Sequence, residues 1–141
     1  MPAPALPLIA RILLPIVATA ALAACQKALK EAKLRPLATL AGTEWGFADD
    51  GRFVAFKTGG EVVGSGGCND FFGSFTQSGR SLSFGPLAST RKACPRPVMD
   101  GEREWLALLG RVRAVEANHL ELRLFGDADE ELAVLQRKDW D

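Results

Sequence analysis

Cys68 and Asn69 follow a run of glycines and are the residues best placed by type to perform chemistry. Together with His119, the single histidine of the chain, they could form a nucleophilic site. In such a site the imidazole generates the thiolate and the amide orients a group or stabilises an oxyanion. We prefer the alternative that His119 is a turn residue beside Asn118, because Cys68 has another cysteine available as a partner.

The three cysteines of the chain are Cys25, Cys68 and Cys94. Cys25 belongs to the leader described below, which leaves an even pair in an exported domain. Such a pair more often forms a disulfide than a metal site or a catalytic thiol. Two reduced, buried thiols are the alternative, since free cysteine has a strong preference for burial. A bridge of this span would stabilise the fold by about 3 to 4 kcal/mol by restraining the unfolded chain.

Cofactor, metal and nucleic-acid sites are not indicated. The glycines of Gly64–Gly67 are followed by neither a GK[ST] sequence nor a helix, and a phosphate-binding loop requires both. Two distant cysteines and one histidine are too few soft ligands for a closed zinc site. The formal net charge is 0, with acidic and basic residues intermixed, so no basic surface for nucleic acid is predicted. We therefore expect a protein that is not an enzyme and has no cofactor.

The N-terminal residues predict an export signal that ends in a lipid attachment site. Arg11 precedes an apolar run from Ile12 to Ala21, which is too short for a permanent membrane span. The sequence Leu22-Ala23-Ala24-Cys25 resembles the bacterial lipobox, whose cysteine is acylated, by palmitate among other chains, and becomes the first mature residue. An ordinary secretory cleavage site is the alternative. Gln26 differs from the aspartate that favours inner-membrane retention, so the resemblance implies an outer-membrane anchor facing the periplasm.

The chain therefore divides into three parts. Residues 1–24 are the predicted signal peptide, residues 25–36 a lysine- and alanine-rich tether, and residues 37–138 a folded domain. The total of 141 residues and the 48% hydrophobic content fit a single globular domain.

Most of the domain has the alternating pattern of antiparallel strands joined by short glycine turns. Three leucines, Leu120, Leu122 and Leu124, are predicted to share one face, as are Leu132 and Val134. Residues 87–101, which contain two prolines, are predicted to be an irregular connection. The predicted strands are centred on Trp45 and Phe47, then Phe53–Lys57, Glu61–Gly64, Asp70–Gln77, Ser81–Phe84, Arg113–Ala117, Leu120–Leu124 and Glu131–Arg137.

One helix is predicted to begin at Asp100 as the N-cap, with Glu102 and Glu104 in its first turn. Its apolar stripe consists of Trp105, Leu106, Leu109 and Val112, and Gly110 is placed near its end. The fold class is thus α+β, mostly β, with a small curved antiparallel sheet or partial barrel and one helix packed on it.

Three segments in order resemble the META/HslJ domain family: Leu40–Trp45 (LAGTEW), Gly67–Gly73 (GCNDFFG) and Leu87–Pro95 (LASTRKACP). The resemblance covers roughly residues 36–137 and implies a small β-rich fold with one helix, found in envelope proteins linked to stress tolerance. It implies no established catalytic activity. Lys92, Trp105 and the absence of tyrosine depart from the usual family pattern. The motif residues are Gly42, Thr43, Trp45, Gly67, Cys68, Asn69, Gly73, Thr90, Cys94, Pro95, Met99 and Glu102.

Two functions are compatible with these observations. The first is a non-enzymatic, lipid-anchored envelope protein with a structural or protein-interaction role in envelope stress tolerance, whose partner is another envelope component. The alternative is a module that binds a small hydrophobic ligand or lipid in an apolar pocket between Trp45, Phe71 and Trp105.

Overall fold

The structure, a computed structural model, describes residues 21–31 and 35–139 and contains two compact units, Met1–Arg35 and Pro36–Asp141. In the first unit, residues 21–31 are helical (α1) and include Cys25, whose side chain is exposed. Most of the predicted signal peptide and residues 32–34 of the predicted tether lie outside the described residues. No helix in the described part of the chain has the length and apolar content required to span a membrane.

The second unit contains nine strands and one long helix, and its hairpins follow the predicted glycine turns. In the turn between the second and third strands, for example, Gly59 and Gly60 have φ values of 99° and 84°, which side chains other than glycine rarely adopt. The elements are β1 (Thr43–Gly46), β2 (Phe53–Phe56), β3 (Glu61–Ser65), β4 (Asp70–Ser78), β5 (Ser81–Phe84), β6 (Ala88–Ser89), α2 (Arg96–Arg111), β7 (Ala114–Ala117), β8 (Glu121–Phe125) and β9 (Glu131–Arg137).

The nine strands form one antiparallel sheet that closes on itself. The order is β3-β2-β1-β9-β8-β7-β5-β4-β6, and β3 also pairs with β4. The narrowest join is between β5 and β7, where Ser81 pairs with Ala114. Helix α2 follows β6 and leads into β7. The predicted fold class, mostly β with a curved antiparallel sheet and one helix on it, is confirmed.

The core lies between the inner face of the sheet and the buried side of α2. Trp105 and Leu109 of the predicted helical stripe are buried, and Val112, which caps the helix, is fully buried. The strands contribute most of the remaining core side chains: Trp45, Val54, Phe56, Val62, Phe71, Leu82, Val115, Leu122, Leu124 and Leu135.

Helix α2 begins five residues earlier than predicted. Its N-cap is Pro95, and Asp100 lies inside the helix, where it pairs with Arg103. The sequence predicts an irregular connection around the two prolines, but Pro97 falls in the first helical turn, where the missing N–H removes no hydrogen bond. The same segment also contains the short strand β6, which the sequence pattern did not predict.

The predicted inner face of β9 is also wrong. Val134 is 37% exposed and the neighbouring Leu135 is fully buried. The pairing of β8 with β9 shifts register between Leu124 and Phe125. An irregularity of this kind reverses the alternation of side chains beyond it, so the simple period-two pattern fails there. Leu120, predicted to share the face of Leu122, precedes β8 and is 40% exposed.

Candidate functional site

The glycine turn between β3 and β4 brings Cys68 and Asn69 into the interior. Cys68 is 8% and Asn69 is 3% exposed. The turn is closed by the N–H of Gly66, which donates to the carbonyl oxygen of Asn69 at 2.8 Å. A Cβ atom on Gly66 would lie 2.4 Å from Cγ of Glu102. Glycine is therefore required here because a helix side chain lies directly against the backbone.

Glu102 of α2 is the side chain that occupies this space, and it is only 5% exposed. Its Oε2 accepts hydrogen bonds from the backbone N–H of Asn69 at 2.6 Å and of Cys68 at 3.3 Å. Its Oε1 accepts a third from Nδ2 of Asn69 at 2.9 Å. Burial of a carboxyl group is costly unless hydrogen bonds replace its water. Glu102 thus joins the helix to the turn.

Asn69 extends the connection to the segment that follows β6. Its Oδ1 accepts from the backbone N–H of Lys92 at 2.6 Å and from the hydroxyl of Thr90 at 2.9 Å. Its Nδ2 also lies 3.3 Å from the Lys92 carbonyl oxygen. The Thr90 hydroxyl in turn accepts from the N–H of Asp70 at 3.2 Å. One amide side chain therefore holds together the turn, the segment after β6 and, through Glu102, the helix.

The predicted disulfide is confirmed. Cys68 and Cys94 are bonded across a sequence separation of 26 residues, with a Cα–Cα distance of 6.0 Å. Because the Cys68 sulfur is bonded, it has no thiol from which a nucleophile could form. His119 lies in the turn between β7 and β8, where the Asn118 side chain accepts from the N–H groups of Leu120 and Glu121.

We call Cys68, Asn69, Thr90, Cys94 and Glu102 the motif cluster, since all five were identified from the sequence and all five meet in one network. Pro95 directly follows Cys94 and caps α2, and Met99 is half-buried in that helix. Gly67 has a φ of 104° in the turn itself.

Other motif residues act in two different places. The Trp45 indole N–H donates to the Thr43 hydroxyl at 2.6 Å, and that hydroxyl lies 2.6 Å from the Leu40 carbonyl oxygen. Gly42 has a φ of 83° at this corner. On β4, a Cβ atom on Gly73 would lie 2.7 Å from the carbonyl oxygen of Pro86. These positions shape the backbone and the core.

A cleft of about 290 Å³ lies beside the glycine turn. At one edge Arg52 hydrogen-bonds Asp50, and this bond holds the pKa of the Asp50 carboxyl below its usual range. The Arg52 guanidinium also lies 4.4 Å from the centre of the Phe47 ring. The sequence does not predict this cleft, whose lining comes from three separate segments, the last of which is α2: Asp50, Arg52, Gly66, Gly67, Pro97, Val98, Gly101 and Glu104.

The cleft does not lie between Trp45, Phe71 and Trp105, the position for which the sequence predicts an apolar pocket. The three rings belong to the packed core, and none is more than 1% exposed. Their side chains fill the interior, so they are core residues in this structure.

All five residues of the motif cluster lie in the part of the chain that matches a known family. The sequence profile of the META domain matches residues 36–139. The chain belongs to the META domain family. No curated protein matches it. The matched range contains all nine strands and α2, so the META domain is the whole folded unit described above.

Solved structures share the fold of this META domain. A protein from Burkholderia xenovorans, determined by NMR, aligns with a TM-score of 0.60 at 24% identity, over 71% of this chain and 84% of that one. A DUF4847 family protein from Bacteroides vulgatus aligns with a TM-score of 0.51 at 17% identity, over 65% of this chain and 62% of its own. At these identities the likeness concerns the fold alone.

Proposed function

We propose that this chain is a non-enzymatic cell-envelope lipoprotein, anchored in the outer membrane through acyl chains on Cys25 and facing the periplasm. Its META domain would have a structural or protein-interaction role in envelope stress tolerance. The Cys68–Cys94 disulfide is the observation that carries the proposal. Disulfides persist in oxidising compartments such as the bacterial periplasm, which agrees with an export signal ending at the lipobox-like Cys25.

The same bond supports a role without catalysis. It removes the only nucleophile that we identified, and the buried polar groups beside it are engaged with one another. Both oxygens of Glu102 and the side-chain oxygen of Asn69 already accept hydrogen bonds. A general acid or base must reach a substrate proton, and the hydrogen bonds of these groups instead link the turn, the helix and the segment after β6.

The anchor is tested by replacing Cys25. The wild-type protein should incorporate labelled palmitate and fractionate with the outer membrane, whereas Cys25→Ser should do neither. A Cys25→Ser protein that is still acylated would contradict the lipoprotein assignment. Cys68→Ser is the matched control, since that cysteine should not carry lipid and its loss should leave acylation unchanged.

The envelope role requires a test in cells. A strain without this gene should be sensitive to envelope stress, and wild-type protein but not Cys25→Ser should restore tolerance. Crosslinking of the anchored protein in intact cells should capture a defined envelope component. Full restoration by the unanchored variant, or no crosslinked neighbour, would count against the proposed role.

Binding of a small hydrophobic ligand is the second candidate. The cleft beside Arg52 favours it by size, but its lining includes Asp50, Arg52 and Glu104 and is thus partly charged. A native preparation with extractable lipid, or one that binds a hydrophobic probe at the cleft, would favour this function. A protein that contains no lipid and binds no probe would eliminate it.

A further inference from the structure

The outer face at the start of β4 presents an aromatic side chain to solvent. Phe72 is 56% exposed, the largest exposure among the large hydrophobic residues described in the domain. Its cross-strand neighbours are Val63 on β3, which is half-buried, and Ala88 on β6, which is exposed. The three side chains therefore form an apolar row across three strands.

Two basic residues follow β6, the strand that contributes Ala88 to this row. Lys92 Nζ is 3.7 Å from the carboxylate of Asp70, which shares the outer face of β4 with Phe72. Both sequence neighbours of Arg91 are fixed by backbone hydrogen bonds. The Thr90 N–H donates to the Asp70 carbonyl oxygen at 3.0 Å, and the Lys92 N–H donates to the Asn69 side chain. We call Phe72, Ala88, Arg91 and Lys92 the Phe72 patch.

This region contains three exposed cations and one exposed carboxylate, that of Asp70. Residues 90–97 contain Arg91, Lys92 and Arg96 and no acidic residue, and all three are exposed. Within the described residues, Lys92 has the ion pair with Asp70, while Arg91 and Arg96 have no carboxylate partner. An exposed aromatic ring together with cations that outnumber the nearby carboxylates is the combination that binds the interface of an anionic membrane.

We infer that the Phe72 patch binds the anionic phospholipid surface of the membrane in which the protein is anchored. The inference rests on the proposed lipid anchor. Residues 26–36 are the eleven residues between Cys25 and the domain, so they reach at most about 40 Å when fully extended. The tether therefore keeps the domain near the lipid headgroups.

The shape of the patch favours a membrane over an acidic peptide. It lies on the outer, convex face of a closed sheet, whereas peptides and small ligands bind in grooves and clefts. One ring and two cations give only weak binding on their own. A tether that holds the domain at an effective concentration in the millimolar range makes such weak binding sufficient.

Vesicle binding without the acyl chains tests the patch directly. Because every core residue lies within Leu37–Leu135, a chain from Gln26 to Asp141 keeps the complete core. It should bind vesicles of phosphatidylglycerol and phosphatidylcholine at least tenfold more tightly than vesicles of phosphatidylcholine alone. Raising the ionic strength to about 1 M, where the Debye length is about 3 Å, should remove the preference.

Two sets of variants locate the binding. Arg91→Gln with Lys92→Gln should weaken binding about 25-fold, since each cation near an anionic surface contributes about fivefold. Phe72→Thr should weaken it about tenfold, because its ring leaves water on binding. The matched controls are Arg111→Gln with Arg123→Gln, which remove the same charge elsewhere, and Leu120→Thr. Equal losses in the controls, or no lipid preference, would overturn the inference.

A photo-crosslinker at Ala88 in the anchored protein should yield lipid adducts. Capture of a protein at this position would instead identify the patch as a protein interface and overturn the membrane assignment. The outcomes separate this inference from the proposed anchor. If the wild-type protein incorporates no palmitate but still binds vesicles, only the proposed anchor is wrong. If the protein is acylated but the patch variants bind vesicles like the wild type, only the inference about the patch is wrong.

Discussion

The beginning of β4 has two sides that differ in almost every property. Asn69 and Phe71 are 3% and 1% exposed, and the former is hydrogen-bonded to Glu102 and to Lys92. Asp70 and Phe72 alternate with them and lie in solvent, with Phe72 56% exposed. The buried side consists of groups that satisfy one another, so its residues determine whether the domain folds. The exposed side contributes little to folding and is available to bind a partner.

The largest expected effect of breaking the buried side comes from Glu102→Ala. It leaves the backbone N–H groups of Cys68 and Asn69 without an acceptor and removes one of the two hydrogen bonds that the Asn69 amide donates, so we expect a loss of about 4 kcal/mol in the free energy of unfolding. Urea denaturation of the oxidised protein measures it. Glu102→Gln is the matched control and should lose less, because one oxygen can still accept both backbone N–H groups. Equal stability of all three proteins would contradict the role of Glu102.

Removal of the disulfide should have the next largest effect. Cys68→Ala with Cys94→Ala should lower the free energy of unfolding by about 3.5 kcal/mol, because the bond restrains a loop of 26 residues in the unfolded chain. Reductant should destabilise the wild type to a similar extent and leave the variant unchanged. If reductant destabilised the variant as well, its effect could not be assigned to this bond.

Gly66→Ala tests the close approach of the turn to the helix. The new Cβ would lie 2.4 Å from Cγ of a side chain that three hydrogen bonds hold in place, so we expect a loss of about 2 kcal/mol. Gly101→Ala is the control on α2, where a Cβ meets no atom within 4 Å. It should stabilise the protein by about 0.8 kcal/mol through helix propensity. Thermal unfolding that shifts both variants in the same direction would refute this explanation.

The smallest expected effect on stability belongs to the exposed side. Phe72→Thr should change the free energy of unfolding by no more than about 0.5 kcal/mol, because the ring is largely exposed and threonine is well suited to a strand. Chemical denaturation provides the measurement. A loss of stability as large as that of Gly66→Ala would mean that Phe72 contributes to the stability of the fold. The two sides of β4 would then not differ in this property.

The sequence was sufficient for the fold class, the disulfide and the members of the motif cluster. Cys68, Asn69 and Glu102 were recognised through the resemblance of the chain to the META/HslJ family. The hydrogen bonds between these residues could not be predicted from the sequence. Glu102 was assigned to a favourable first helical turn, whereas it is bonded to Asn69 across 33 positions of sequence. Only the folded backbone brings such residues together.

The errors in local structure have a common physical origin. The face of β9 was wrong because the pairing with β8 shifts register at Leu124 and Phe125, and a period-two pattern carries no sign of such a shift. The start of α2 was placed too late because two prolines were interpreted as a break, although a proline in the first turn is compatible with a helix. Strand β6 has two residues, too few for any periodicity.

The pairing of β1 with β9 has a consequence for how the chain reaches its folded state. Trp45 pairs with Arg137, so β1, the first strand of the META domain, can complete its pairing only when β9, the last strand, is in place. Such sequence-distant contacts make folding slow relative to local hairpins. Loss of β9 would leave β1 and β8 as open edges, and open edges pair with other chains. A chain that ends before β9 is therefore expected to associate with other copies instead of forming a smaller domain.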